Sequence, residues 1–143
     1  MEQQNVIPHS DAVQYILAGK STVGFHSEKT GNTFWFYVSR NKYVESWNVY
    51  LTFDSQEQDR LILRIDNKRN LTVLGFVPKF SPLKKEHLAA FDHTWTHLLK
   101  GNLDPRVKIL HKGECGYCNR PLTDAESLKK GIGPICRKKL GIP

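Results

Sequence analysis

All three cysteines of this 143-residue chain, Cys115, Cys118 and Cys136, lie within residues 111–136 together with His111, in the spacing H-x3-C-x2-C-x17-C. Thiolates and imidazole are the donors that zinc takes in tetrahedral sites, at about 2.3 Å for sulfur and about 2.0–2.1 Å for nitrogen. A C-x2-C pair with Gly116 inside it suits the tight knuckle from which two sulfurs grip one ion. His111, Cys115, Cys118 and Cys136 are therefore the candidate ligands of one Zn²⁺, with His111 in the place of the fourth cysteine of the commoner pattern.

Two other readings compete. The cysteines could be small buried apolar residues, or C-x2-C could be a redox pair. A redox pair opens a helix after a strand, and here Pro121 and a new helix start follow too soon. Four protein ligands would close the metal shell and leave no place for water, which is the structural pattern; without His111, three thiolates and a water would make an open site. No H-x-E precedes the knuckle as in zinc deaminases. No Gly-rich phosphate loop, nucleophile elbow or H-E-x-x-H occurs elsewhere. The expectation is a protein that is not an enzyme, with zinc as a structural cofactor.

The segment between the second and third thiols is suited to bringing the last one back. Thr123 and Glu126 have the spacing of a capping box, Lys130 and Gly131 end the short helix it would start, and "GIGP" turns the chain. Pro134 suits the first position of another helical turn. Cys136 would then stand near a helix N-terminus, where the macrodipole favours a thiolate.

Net charge is +7 and the pI about 9.4, but the charge is uneven. Residues 101–143 hold nine Lys/Arg and four Asp/Glu, a net +5, against +2 for the first hundred residues. Such a surplus points to phosphates as partners, or to no more than a solvated basic face. No run of 18 apolar residues and no basic-then-apolar leader is present. With an odd number of cysteines, this points to a reducing cytoplasm, that of a host cell if the gene is phage-borne. No membrane partner and no small-molecule substrate are expected.

Upstream, "HSDAVQYILAG" predicts a short helix with Ser10 as N-cap and Gly19 as its stop. Residues 21–77 change to a period of two. "STVGFH", "NTFWFYVS", "WNVYLTF", "RLILRID" and "LTVLGFV" read as five strands of an antiparallel meander, with Gly31 available for the first turn. Trp47, Val49, Leu51 and Phe53 share one face of their strand, and Asn48, Tyr50 and Thr52 the other. "SPLKKEHLAAFDHTWTHLLKG" predicts a helix with Ser81 as N-cap and Pro82 after it. Its apolar stripe, Leu88, Phe91, Trp95 and Leu98, is expected to cover the sheet. His93 and His97, one turn apart, read as solvated. The expected class is α+β, an antiparallel sheet covered by a helix over residues 1–104, followed by a zinc-knuckle or treble-clef-like module over 105–143.

"HKGECGYCNRPLTDAESLKKGIGPIC" resembles the C-terminal signature of an uncharacterised family of small phage and plasmid proteins. That family has a zinc-ribbon-like module with a histidine before the knuckle. Leu122-Thr123, Glu126-Ser127 and Gly131-Ile132-Gly133-Pro134 match it residue by residue, and "FDHTWTHLLKG" corresponds to its Trp-rich helix. "WNVYLTFDSQEQDR" departs from the glycine-rich loop expected there. The resemblance implies zinc on His111, Cys115, Cys118 and Cys136 and an origin on a mobile element. Two functions follow as expectations. One is a nucleic-acid-binding accessory protein for DNA or RNA. It would use Arg120, Lys129, Lys130, Arg137, Lys138 and Lys139 on phosphates and Tyr117 on bases. Tyr50, Trp35 or Tyr37 could also stack, although core packing is the stronger expectation for Trp35 and Tyr37. The other is a protein-interaction module, such as a phage-encoded inhibitor or adaptor of a host enzyme.

Overall fold

The computed structural model describes residues 5–52, 61–74 and 82–142. It is a mixed α and β structure built on one seven-stranded, wholly antiparallel sheet. In chain order the elements are β1 (Val6–Ile7), α1 (His9–Ile16), β2 (Lys20–Ser27), β3 (Thr33–Arg40), β4 (Trp47–Leu51), β5 (Leu61–Ile65), β6 (Leu71–Val73), α2 (Pro82–Lys100), β7 (Val107–His111), α3 (Ala125–Lys130) and α4 (Pro134–Leu140). The strands lie in the order β1-β7-β2-β3-β4-β5-β6.

The meander from β2 to β6 follows the five alternating runs, each strand pairing with the next in sequence. Gly31 takes its positive φ of 78° in the β2–β3 turn. Phe53 and Ser81, assigned above to a strand face and a helix cap, lie outside the described residues. α1 begins one residue earlier than its predicted cap, with Pro8 as N-cap and no side-chain cap.

The strand over "VKILH" has no counterpart in the sequence reading. β7 pairs with β1 on one side and β2 on the other, Ile109 facing Ile7 and Phe25. A division of the chain at 104/105 would put β7 in the C-terminal module, yet its backbone hydrogen bonds are to strands of the first part.

Alternation sorts the sheet into two faces. Val23, Phe25, Phe36, Val38, Trp47, Val49, Leu51, Leu63, Ile65 and Ile109 are buried on the inner face. α2 lays Phe91 against Phe25 and Phe36, with ring centroids 5.5 and 5.0 Å apart. Burying a side chain of that size contributes about 1.5–3 kcal/mol. The stripe that does this is Phe91, Trp95 and Leu98 with the buried His87 and Thr94; Leu88 is only partly buried. Both buried indoles donate to carbonyls, Trp95 to Arg69 and Trp47 to Leu17, so neither leaves a polar atom unpaired. The His93 and His97 rings meet at a centroid distance of 4.2 Å, tilted by 38°, near the helix surface, and Nδ1 of His97 meets the His93 carbonyl.

Trp35 and Tyr37 are not in the core. Phe34, Phe36 and Val38 take the inward positions of β3, so the intervening Trp35 and Tyr37 face outward and are half-buried. Cross-strand pairing sets Tyr37 beside Tyr50, with ring centroids 6.1 Å apart. No helix among the described residues is long and apolar enough to cross a membrane.

Candidate metal centre

β7 delivers the chain into the knuckle. Beyond His111 and Gly113, a short antiparallel hairpin forms through a bridge between Glu114 and Pro121. Cys115 N–H donates to the Arg120 carbonyl and Asn119 N–H to that of Cys115. Asn119 closes the hairpin at φ 68°, a left-handed conformation that asparagine tolerates better than most residues. Cys115 and Cys118 therefore sit on one tight turn.

The third thiol arrives by two short helices. Asp124, and not Thr123, is the N-cap of α3, its carboxylate accepting from Ser127 N–H at 3.0 Å. The Thr123–Glu126 capping box is thus displaced by one residue, because an aspartate at the next position takes the same role. Gly131 ends α3 in the left-handed conformation, φ 75°, and Pro134 opens α4 with Cys136 in its first turn. The Sγ atoms of Cys115, Cys118 and Cys136 lie within 4.8 Å of one another. Three sulfurs about 2.3 Å from a common tetrahedral ion stand roughly 3.8 Å apart, so a small inward adjustment suffices to bind one.

The electrostatics of the three thiols differ. Burial pushes the Cys115 thiol up, but N–H donors of Gly133, Cys118 and Tyr117 outweigh it and hold the group below the usual thiol range. The Gly133 and Tyr117 donors are 3.4 Å from its sulfur. The Cys136 thiol is pushed up to about 12, first by burial and then by its neighbours Cys118 and Cys115. A cation at their centre reverses the second effect, since a coordinating thiol is deprotonated outright. Three free thiols with such opposed tendencies form a possible metal-binding site.

His111 stands apart from these thiols. It is buried on the inner face, where Nε2 lies 2.5 Å from the Leu128 carbonyl and Nδ1 accepts from Gly113 N–H at 2.9 Å. Both ring nitrogens are therefore engaged in joining β7 to α3 and to the knuckle. Burial lowers its pKa, and the Leu128 carbonyl opposes that shift.

The predicted phosphate contacts also divide. Arg120, Lys129, Lys138 and Lys139 are exposed, Lys130 is half-buried, and Tyr117 is at the surface with 36% of its area exposed. Arg137 is a correction. It is buried, its guanidinium Nη1 donating to the Ser127 hydroxyl at 3.2 Å and the Ile132 carbonyl at 2.8 Å, so it joins α4 to α3 and does not reach solvent phosphates. One face of a seven-residue helix must look inward, and three consecutive basic residues, Arg137, Lys138 and Lys139, gave no sign of which.

Beside the thiols is a hollow of about 360 Å³ lined by Tyr117, Arg120, Asp124, Ile135 and Lys139 among others. Sequence reading missed what fastens this region to the sheet. The Tyr15 ring wedges against Gly116 and Gly131, and its hydroxyl donates to the Thr22 carbonyl at 2.9 Å. The burial of Tyr15 raises its pKa strongly. The glycines were visible, but the aromatic that requires them lies about a hundred residues away.

Comparison with known proteins bears on this region alone. Residues 109–141 match the family described as "Family of unknown function (DUF6011)". No curated protein and no solved structure gave a match. The match begins in β7 and ends just beyond α4, so the stretch similar to that family is the one that carries the three thiols.

Proposed function

We propose that this chain is a small zinc-binding accessory protein of mobile-element origin that binds nucleic acid. The observation that carries the reading is the position of Lys138 and Lys139, exposed on α4 just after Cys136, with Arg120 exposed beside the knuckle. Any ion held by the thiols fixes the helix and turn that present these cations. Zinc suits three sulfur donors, and a structural ion contributes folding energy to a segment with little core of its own. With three thiolates the ion's net charge is −1, so binding depends on the surrounding lysines and arginines.

In this reading the protein is not an enzyme and acts in the cytoplasm of a host cell. Asp124, the carboxylate lining the hollow, is occupied in capping α3. In this reading the fourth ligand to zinc is a group other than His111, whose ring nitrogens meet Leu128 and Gly113. The knuckle with α3 and α4 reads as treble-clef-like, and α2 as the cover of the sheet's inner face. Gel-shift titration of nucleic acid at rising salt tests the function. Affinity should fall along a log–log line whose slope counts the phosphates neutralised. Salt-independent binding, or indifference to Lys138→Glu with Lys139→Glu, would sink the reading.

A second reading has its own support. Ile135, on α4 beside the thiols, is 69% exposed, and Tyr117 and Leu140 are also at the surface. Exposed apolar side chains of this region, two of which, Tyr117 and Ile135, line one hollow, suit a protein partner, such as a host enzyme that the chain inhibits or recruits. Capture from host lysate with and without nuclease separates the two. A partner protein retained after nuclease, with no nucleic-acid shift at low salt, favours the second.

A further inference from the structure

We infer that the outward face of the sheet is a stacking platform for single-stranded nucleic acid, an assignment that rests on the nucleic-acid reading above and names its ligand. Trp35 and Tyr37 stand two residues apart on β3, and Tyr50 is the direct partner of Tyr37 on β4, so three half-buried rings form one contiguous group. Gly24, across from Trp35, makes room for the indole: a Cβ there would lie 2.9 Å from the ring. A ring that lies flat over a glycine turns its other face outward, where the flexible Lys112 side chain lies over it.

Charge suits the same ligand. Lys112 Nζ stands 4.7 Å from the Trp35 ring centroid, Arg64 reaches Asn48 beside Tyr50, and Lys20 occupies the outward position opposite Ser39. Lys108, also outward, is 4.0 Å from Glu28 of the adjoining turn. No aspartate or glutamate occupies an outward strand position among the described residues. α1, α2 and α3 make their contacts on the inner side, through Ser21, through Phe25 and Phe36, and through His111.

A hollow of about 550 Å³ lies between Tyr37, Tyr50, Thr22 and Ser39 of the sheet, Thr52 just after β4 and Asn119 of the knuckle. The platform is thus continuous with the thiol-bearing turn, and the exposed Arg120 follows Asn119. Rings for unpaired bases beside cations for the backbone are how sequence-tolerant single-strand binders work. A duplex, whose bases are stacked on each other, cannot use the rings.

Fluorescence anisotropy of the full-length protein tests this with labelled 20-nucleotide mixed-sequence DNA and RNA single strands and the corresponding duplexes. A single strand should bind at least about tenfold tighter than its duplex. Tyr37→Ala with Tyr50→Ala should remove that advantage and leave duplex binding and the salt slope unchanged, while Tyr37→Phe with Tyr50→Phe should retain it. Single strands should also quench tryptophan emission, and Trp35→Phe should abolish the quenching, a readout independent of alanine's effect on folding. Equal binding of both forms with no quenching overturns the platform and leaves the nucleic-acid reading standing. Absence of binding to any of these probes at low salt overturns both.

Discussion

A Cβ placed on Gly131 would stand 2.5 Å from Cδ1 of Tyr15. The same tyrosine leaves only 2.8 Å for a Cβ on Gly116. One ring from α1 therefore sets how close the C-terminus of α3 and the knuckle can approach the rest of the molecule. Backbone bonds run along the same seam, from Gly116 N–H to the Gly131 carbonyl and from Lys20 N–H to the Gly116 carbonyl.

Gly131→Ala should consequently be severe. It meets the Tyr15 ring and forces alanine to φ 75°. The left-handed conformation costs about 1–2 kcal/mol and overpacking typically about 1–3 more, so a loss of roughly 2–5 kcal/mol is expected in chemical denaturation. Gly113→Ala, also at positive φ but with open space around it, should lose only the first part.

Metal dependence should be read from the whole fold. Cys118→Ser should lower bound zinc to well below one per chain by elemental analysis, and chelation of the wild type should depress its melting temperature. Because β7 precedes the knuckle without a break, the loss should extend to amide protection in β1 and β2.

His111 gives a sharper test. Replacement by glutamine should leave zinc stoichiometry intact while lowering stability by about 1–3 kcal/mol, since one amide cannot serve the Leu128 carbonyl and the Gly113 N–H from the two ring positions at once. Loss of the ion in this variant would make the imidazole a ligand after all. Burial holds its folded pKa below the unfolded value near 6.5, so the unfolded chain binds more protons in that window. Its contribution is thus complete above about pH 7 and is lost as the pH falls through and below 6.5. The pH dependence of stability should flatten there in the glutamine variant.

Arg137 and Lys138 should separate in the same assay. Arg137→Met should destabilise the protein by about 1–3 kcal/mol, because the Ser127 hydroxyl and Ile132 carbonyl lose a buried donor, and should leave the salt slope of binding unchanged. Lys138→Gln should leave stability unchanged and reduce the slope by about one.

What could be read from the chain follows from the range of the interactions. The five meander strands declare themselves by alternation, and α2 by Pro82, Gly101 and the Phe91–Trp95–Leu98 stripe, all local signals. The three thiols were legible because zinc spacing is a local rule. β7 was not, since five residues with one lysine among them look like a linker until β1 and β2 supply partners from the other end of the chain. His111 was named from the same kind of local pattern. A histidine four residues before a knuckle satisfies a ligand pattern, and only the fold brings the Leu128 carbonyl to its ring. Trp35 and Tyr37 were expected in the core, whereas the parity of Phe34, Phe36 and Val38 decides the face.

The β1–β7 pair joins Val6 to Leu110 across about a hundred residues of chain. During synthesis the meander can form early, but it keeps an open margin at β2 until the last quarter emerges. Closure of that margin and emergence of the three thiols then fall in the same interval, next to each other along the chain. If the thiols hold zinc as proposed, a cell short of it would accumulate chains with a bare β2 edge, and such edges recruit one another. Metal supply would thus set how much of the protein stays out of aggregates.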